Sequence, residues 1–204
     1  KGDFVGLDDL NTKHPEVVSG MIDIYKDIVT KFRPDGFRVD TVKHVHLSFW
    51  QEFVPAIMEH AKSEGIPNFH MFGEVYSGDP AILSRYTTKG KMPSVLDFGF
   101  QNDLGATLTE GYGTWKIQNL IDQDDYYNDH DSQADLLMNF IGNHDMGRFS
   151  LFMKRNLPEA TDEERLQRLN LAHAIMYFSR GIPVVYYGDE QGFVSDDHDM
   201  DSRE

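Results

Sequence analysis

The sequence contains no cysteine. That removes disulfides, thiolate nucleophiles and cysteine-held zinc, and it leaves the compartment open. Cations are scarce: 19 Lys and Arg stand against 34 Asp and Glu, a formal charge of −15. Such a field repels nucleic acid and anionic membrane, and no basic stripe interrupts it, so neither is expected as a partner. No apolar run approaches the length of a membrane span, and membrane insertion is not expected. Neither a Gly-x-Ser-x-Gly elbow nor a His-Glu-x-x-His helix occurs, which leaves serine hydrolase and zinc peptidase readings without a foothold. No Gly-rich phosphate loop follows a strand, so nothing supports nucleotide binding. A neutral ligand such as a sugar stays open.

What is present can build a real core: 204 residues, 40% hydrophobic and 26% charged, are ordinary for a soluble globular domain. Val18, Met21, Ile22, Tyr25, Ile28, Val29 and Phe32 recur at three- and four-residue steps, which predicts an amphipathic helix from Pro15 to Phe32. Ser48 with Gln51 reads as a capping box for a helix to about Ser63, and Thr161 with Glu164 as another for a helix to Gly181. Shorter helices are expected near 81–86, 102–109 and 115–123. Between them lie five strand candidates, at 36–40, 69–74, 94–98, 136–141 and 182–187. The alternation argues for parallel βαβ units. Five strands are too few to close an eight-stranded barrel, and an open doubly wound sheet is the alternative. Lys1 in place of a methionine, and an acidic loop at Glu204, give the expectation that this is a piece of a longer chain.

Three of those strands lead into a carboxylate at or just past their end, a group expensive to bury. They read Asp35-Gly36-Phe37-Arg38-Val39-Asp40, Phe69-His70-Met71-Phe72-Gly73-Glu74 and Asn139-Phe140-Ile141-Gly142-Asn143-His144-Asp145. In a (β/α) barrel the strand C-termini share one face, and the active site is built there. Acids gathered at one mouth suit proton transfer and developing positive charge, as in cutting a glycosidic bond. Arg38 and Asp40 point to the same side of a strand, so the guanidinium can hold the carboxylate ionised as a nucleophile. Glu74 follows Gly73, whose missing side chain is expected to leave room for substrate. It precedes Tyr76, a ring on which a sugar can pack. Apolar Phe72 and Val75, and Asp40 as a like charge, are expected to raise its pKa into the range of a general acid. His144 and Asp145 can bind sugar hydroxyls and support transition-state charge. Each feature also has a plain reading: an ion pair, a loop glutamate, a structural His-Asp pair. His44 and His46 lack a third ligand for zinc. The Asp197-x-Asp199-x-Asp201 spacing has Ser202 where a calcium loop needs glycine, which favours a solvated loop.

At these residues the chain resembles the α-amylase family, glycoside hydrolase family 13. The segment from Gly36 to His44 is similar to the fourth-strand motif, Phe72-Gly73-Glu74-Val75 to the fifth, and Phe140 to Asp145 to the seventh. Leu7-Asp8-Asp9-Leu10-Asn11 is similar to a short motif ahead of the third helix, although Asp8 replaces the usual proline. Gly181 to Glu190 is similar to the eighth strand and its loop. The resemblance implies residues 1–204 as the C-terminal part, about strands four to eight, of a (β/α)8 TIM barrel. Strands one to three, with a sugar-binding histidine, would then lie upstream, and the piece alone is expected to be inactive.

The resemblance assigns Asp40 as nucleophile, Glu74 as acid/base and Asp145 as transition-state stabiliser. Arg38, Lys43, His44, Tyr76 and His144 become substrate-binding residues. The implied reaction is retaining cleavage of α-1,4 or α-1,6 glucosidic bonds in starch, glycogen or maltooligosaccharides, with no cofactor needed for the chemistry. A structural calcium, bound by the backbone carbonyl of His44, is a further implication. Secretion or a periplasmic location is inferred from polymeric substrates. The alternatives are a transglycosylase or glucosyltransferase of the same family, and a non-catalytic, amylase-like transporter ectodomain.

Overall fold

The computed structural model describes residue 6 and residues 8–194; Leu7 and the aspartates at 196, 197, 199 and 201 lie outside the described residues. The chain packs as two units. The first comprises residues 1–76, 81–95 and 127–132, the second residues 77–80, 96–126 and 133–204.

The first unit opens with helix α1 (Pro15–Phe32), which has the predicted bounds. The His14 side chain accepts from the Glu16 amide, Pro15 occupies the first turn, and Arg33 leaves the helix at φ 49° with its amide on the Val29 carbonyl. Strand β1 (Gly36–Val39), helix α2 (Leu47–Ser63), strand β2 (His70–Gly73), helix α3 (Pro80–Thr88) and strand β3 (Ser94–Val95) follow. The three strands run parallel in the order β1-β2-β3, with Gly36 opposite His70 and Val39 opposite Gly73. Helix α2 starts at Leu47 behind His46, which makes no side-chain cap, so the Ser48–Gln51 capping box does not form. Edge-on ring contacts join Tyr25 of α1 to Phe37 of β1 and Phe53 of α2, and Phe37 to Phe69.

Gly36 is required by that close pairing. A Cβ on it would meet the His70 carbonyl oxygen at 2.1 Å, backbone against backbone. Gly36→Ala is therefore expected to cost about 3 kcal/mol or more by prising β1 from β2. A lowered urea midpoint at unchanged slope checks this; an unchanged midpoint contradicts it.

The second unit contains helix α4 (Phe98–Thr109), helix α5 (Trp115–Ile121), strand β4 (Met138–Asn139), helix α6 (Phe149–Asn156), helix α7 (Asp162–Phe178) and strand β5 (Ile182–Pro183). Strands β4 and β5 are parallel, and Leu96 forms a parallel bridge with Met138. The Thr161 hydroxyl accepts from the Glu164 amide at the start of α7, half of the predicted capping box. The core joins Phe100, Leu104, Ile141, Phe149, Leu169 and Met176. Helix α6 was not expected from the sequence. The predicted strand at 94–98 is cut short because Asp97 turns the chain: its side chain accepts the Phe100 amide and starts α4.

Among the described residues no helix is long and apolar enough to cross a membrane.

Candidate active site

In the first unit β1 and β2 bring Asp40 and Glu74 together. Register makes this inevitable: Val39 pairs with Gly73, so the next residue of each strand emerges at the same end. The Glu74 amide donates to the Val39 carbonyl at 2.8 Å, and the Val42 amide to the Glu74 carbonyl at 3.0 Å. Arg38 then lies between the two acids. Its Nη1 is 3.0 Å from Asp40 Oδ1, the pairing expected from the alternation of a strand, and its Nη2 is 3.8 Å from Glu74 Oε1.

The two carboxylates sit in opposite environments. The Asp40 side chain is 63% exposed and that of Glu74 only 9%. Burial raises the Glu74 pKa above its ordinary value; the Thr41 amide and the Arg38 charge pull it down, and Asp40 adds to the rise both as a like charge and as a hydrogen-bond partner. The Thr41 amide reaches Glu74 Oε2 at 3.0 Å because Thr41 adopts φ 51°. That conformation is costly for a β-branched residue and places strain beside the acid pair. Nothing in the sequence singled out Thr41.

Gly73 does not serve the purpose expected of it. It is buried, and a Cβ there would meet Val42 Cγ2 at 2.9 Å and Met92 Cε at 3.4 Å. Its missing side chain makes room for the core rather than for substrate. Lys43 donates its Nζ to the Tyr76 carbonyl at 2.9 Å, so two residues expected to bind substrate tie the turns after β1 and β2 together. The Tyr76 ring is half exposed. Arg38, Asp40 and His44 line a cleft of about 430 Å³ with an aromatic wall that includes Tyr25, Phe37 and Trp50. That volume suits a small-molecule subsite.

Asp145 and His144 lie in the second unit, on a short loop. Their side chains face each other at 3.3 Å, and the Asn143 side chain accepts the amides of Asp145 and Met146. The same unit holds two ion clusters that sequence reasoning missed. Arg148 and Asp189 pair at 2.8 Å with almost no solvent exposure, and burial pushes the Asp189 carboxyl up to about 6 against the pull of Arg148. Arg180 grips Asp124 through Nε and Nη2 and Asp97 through Nη1 at 2.7 Å. Asp97 also ends an apolar run, yet it caps a helix and pairs with arginine. A strand-end acid alone therefore does not mark a functional group; Asp40 differs from Asp97 in its exposure and in its strained neighbour.

The calcium implied by the resemblance would take the His44 carbonyl as one ligand. A calcium ion takes about six to eight oxygens. Among the described residues, no three His, Asp or Glu side chains converge at His44; a set that does converge is the exposed Asp129, His130 and Asp131. No cluster of described His, Asp or Glu side chains therefore stands ready to join the His44 carbonyl in holding such an ion.

Comparison with known proteins identifies the family. The α-amylase catalytic-domain family matches residues 1–204. An α-amylase of Streptomyces lividans is 46% identical over the whole of this chain, which covers 22% of that protein. A crystal structure of an Anoxybacillus α-amylase superposes with a TM-score of 0.85 at 28% identity, over 100% of this chain and 42% of that one. An α-amylase of Geobacillus thermoleovorans, complexed with acarbose, gives 0.83 at 29% identity with the same coverage. The chain thus spans well under half the length of these relatives, and it belongs to the α-amylase catalytic-domain family.

Proposed function

We propose that this chain carries the catalytic centre of a retaining glycoside hydrolase acting on α-1,4-glucosidic bonds of starch, glycogen or maltooligosaccharides, as about strands four to eight of a (β/α)8 barrel. The observation that carries this reading is the Asp40–Arg38–Glu74 arrangement: an exposed carboxylate held by arginine beside a buried carboxyl that favours its proton. Asp40 attacks the anomeric carbon while Glu74 gives its proton to the departing glycosidic oxygen. A covalent glucosyl ester forms on Asp40. Glu74, now ionised, takes a proton from water, which displaces Asp40 and releases the sugar with its configuration retained. Asp145, with His144, supports the oxocarbenium-like state by charge and hydrogen bonding.

The placing of Asp40 and Glu74 at the same end of two paired strands, with Arg38 reaching both, supports retention. An inverting pair keeps its carboxyls about 6.5–9.5 Å apart to admit water, and a retaining pair about 5–5.5 Å. Tyr76 and His44 offer a ring and an imidazole for sugar contacts. The full set of Asp40, Glu74 and Asp145 speaks against a non-catalytic partner protein. A starch substrate outside the cell would suit a secreted or periplasmic protein.

The test is to trap the ester. Incubating the full-length protein with a 5-fluoro-α-glucosyl fluoride, followed by peptide mass spectrometry, is expected to find the glucosyl group on Asp40. Turnover with the label on another residue, or on none, sinks the assignment.

Arg38→Met gives a second check. Loss of the guanidinium frees Asp40 to swing, and it removes one of the influences that lower the Glu74 pKa. We expect kcat to drop on the order of 10²-fold, with the alkaline limb of the pH profile moving to higher pH. An unmoved limb would mean that Arg38 does not act on Glu74.

A further inference from the structure

One buried carboxylate pairs with one foot of the loop that carries His144 and Asp145 and lies close against the other. Asp189 begins the turn Asp189–Gln191 after β5, and its Oδ1 lies 2.8 Å from Nη1 of Arg148, the residue by which the loop leaves. Arg148 is fixed in turn. Its Nη1 donates to the Tyr187 carbonyl at 2.8 Å, and its guanidinium packs 4.7 Å from the Tyr186 ring centre, 5.1 Å from that of Tyr187 and 5.6 Å from that of Phe193. The loop enters at Gly142. A Cβ there would come within 3.1 Å of Asp189 Oδ2 and 2.8 Å of the Gly147 carbonyl oxygen, so only glycine lets the carboxylate approach. Between its feet the loop closes on itself. The Gly147 amide donates to the Asn143 carbonyl at 3.0 Å, and the Asn143 side chain holds the amides of Asp145 and Met146. A loop closed internally moves as one body, and its aim is set where it is anchored.

The geometry points to Asp189 and Arg148 as the positioning pair of Asp145: the buried carboxylate fixes the base of the loop and thereby the direction in which Asp145 meets the transition state. This rests on the role proposed for Asp145. Stability is a poor explanation for the pair. A buried ion pair seldom outperforms well-packed apolar residues of the same volume, because desolvation offsets its attraction. What apolar residues could not supply is one anchor that pairs with one foot of the loop while lying close against the other. Neither Asp189 nor Arg148 need contact the substrate for this.

A double-mutant cycle tests it. Initial rates of α-glucosyl fluoride hydrolysis are measured for the full-length protein, Asp189→Asn, Asp145→Asn and the double variant, with thermal midpoints recorded for each. Asp189→Asn is expected to lower kcat on the order of 10²-fold, with KM little changed. The double variant is expected to be no slower than Asp145→Asn, because Asp189 has nothing left to position. Losses that multiply, or a wild-type rate for Asp189→Asn, overturn the positioning role. A wild-type rate for Asp145→Asn removes the role of Asp145 itself, and the positioning role with it. Should Asp189→Asn fail to fold, the paired change Arg148→Met with Asp189→Leu leaves no unpaired buried charge and must show the same non-additivity.

Discussion

Asp40→Asn in the full-length protein is expected to lower kcat on maltooligosaccharides by about 10⁴-fold or more, the scale on which loss of a nucleophile is felt. The amide keeps the size of the carboxylate and a contact for Arg38, but it cannot form a stable ester with the anomeric carbon. Stability should hardly respond. The Asp40 side chain is 63% exposed, and a pair so open to water contributes about 0–1 kcal/mol. The variant should therefore melt with the wild type while failing to turn over. A rate within tenfold of wild type would remove Asp40 from the chemistry. A collapse in thermal midpoint would instead say that its role is structural.

Glu74→Gln is expected to produce the second largest loss, about 10²- to 10⁴-fold, the range for removing a general acid. The loss should shrink with α-glucosyl fluoride, since fluoride departs without a proton. Its pH behaviour follows from the raised pKa. Activity needs Glu74 protonated and Asp40 ionised, so the wild-type profile falls on the alkaline side as Glu74 loses its proton. Stability responds in the same direction. The native state binds this proton more tightly than the unfolded chain, whose carboxyl titrates near 4.5. Ionising Glu74 therefore costs stability as pH rises above that value and through the native pKa. Glutamine removes that cost, so the variant should be more stable than wild type at neutral pH and equal to it in acid. Equal stability at every pH would show that burial does not strain the ionised glutamate. A group kept at a cost to stability and needed for turnover is what a site selected for activity would hold.

The pair at the heart of this account was legible in the sequence because strand periodicity is a strict rule. Once Gly36 to Val39 and His70 to Gly73 are read as strands, Arg38 must share a side with Asp40, and adjacent parallel strands must deliver Asp40 and Glu74 to one end. Helix α1 was equally legible, since its apolar spacing and its Pro15 agree. What escaped depends on backbone angles and on partners distant in sequence. The left-handed Thr41 leaves no composition signal. Arg148 and Asp189 are 41 positions apart, and Arg180 meets Asp97 across 83. Strand ends were drawn too long at Phe98 because a cap competes with a strand there, and Asp97 satisfies the cap. The Ser48–Gln51 box failed for a related reason: α2 had already begun at Leu47.

The central claim is double displacement on Asp40, and stereochemistry tests it most directly. Proton NMR during cleavage of maltoheptaose by the full-length protein resolves the anomer released before mutarotation equalises the two. The account predicts that the α-anomer appears first and that Asp40→Asn abolishes its release. A β-anomer appearing first would mean a single displacement by water, and Asp40 would not be the nucleophile.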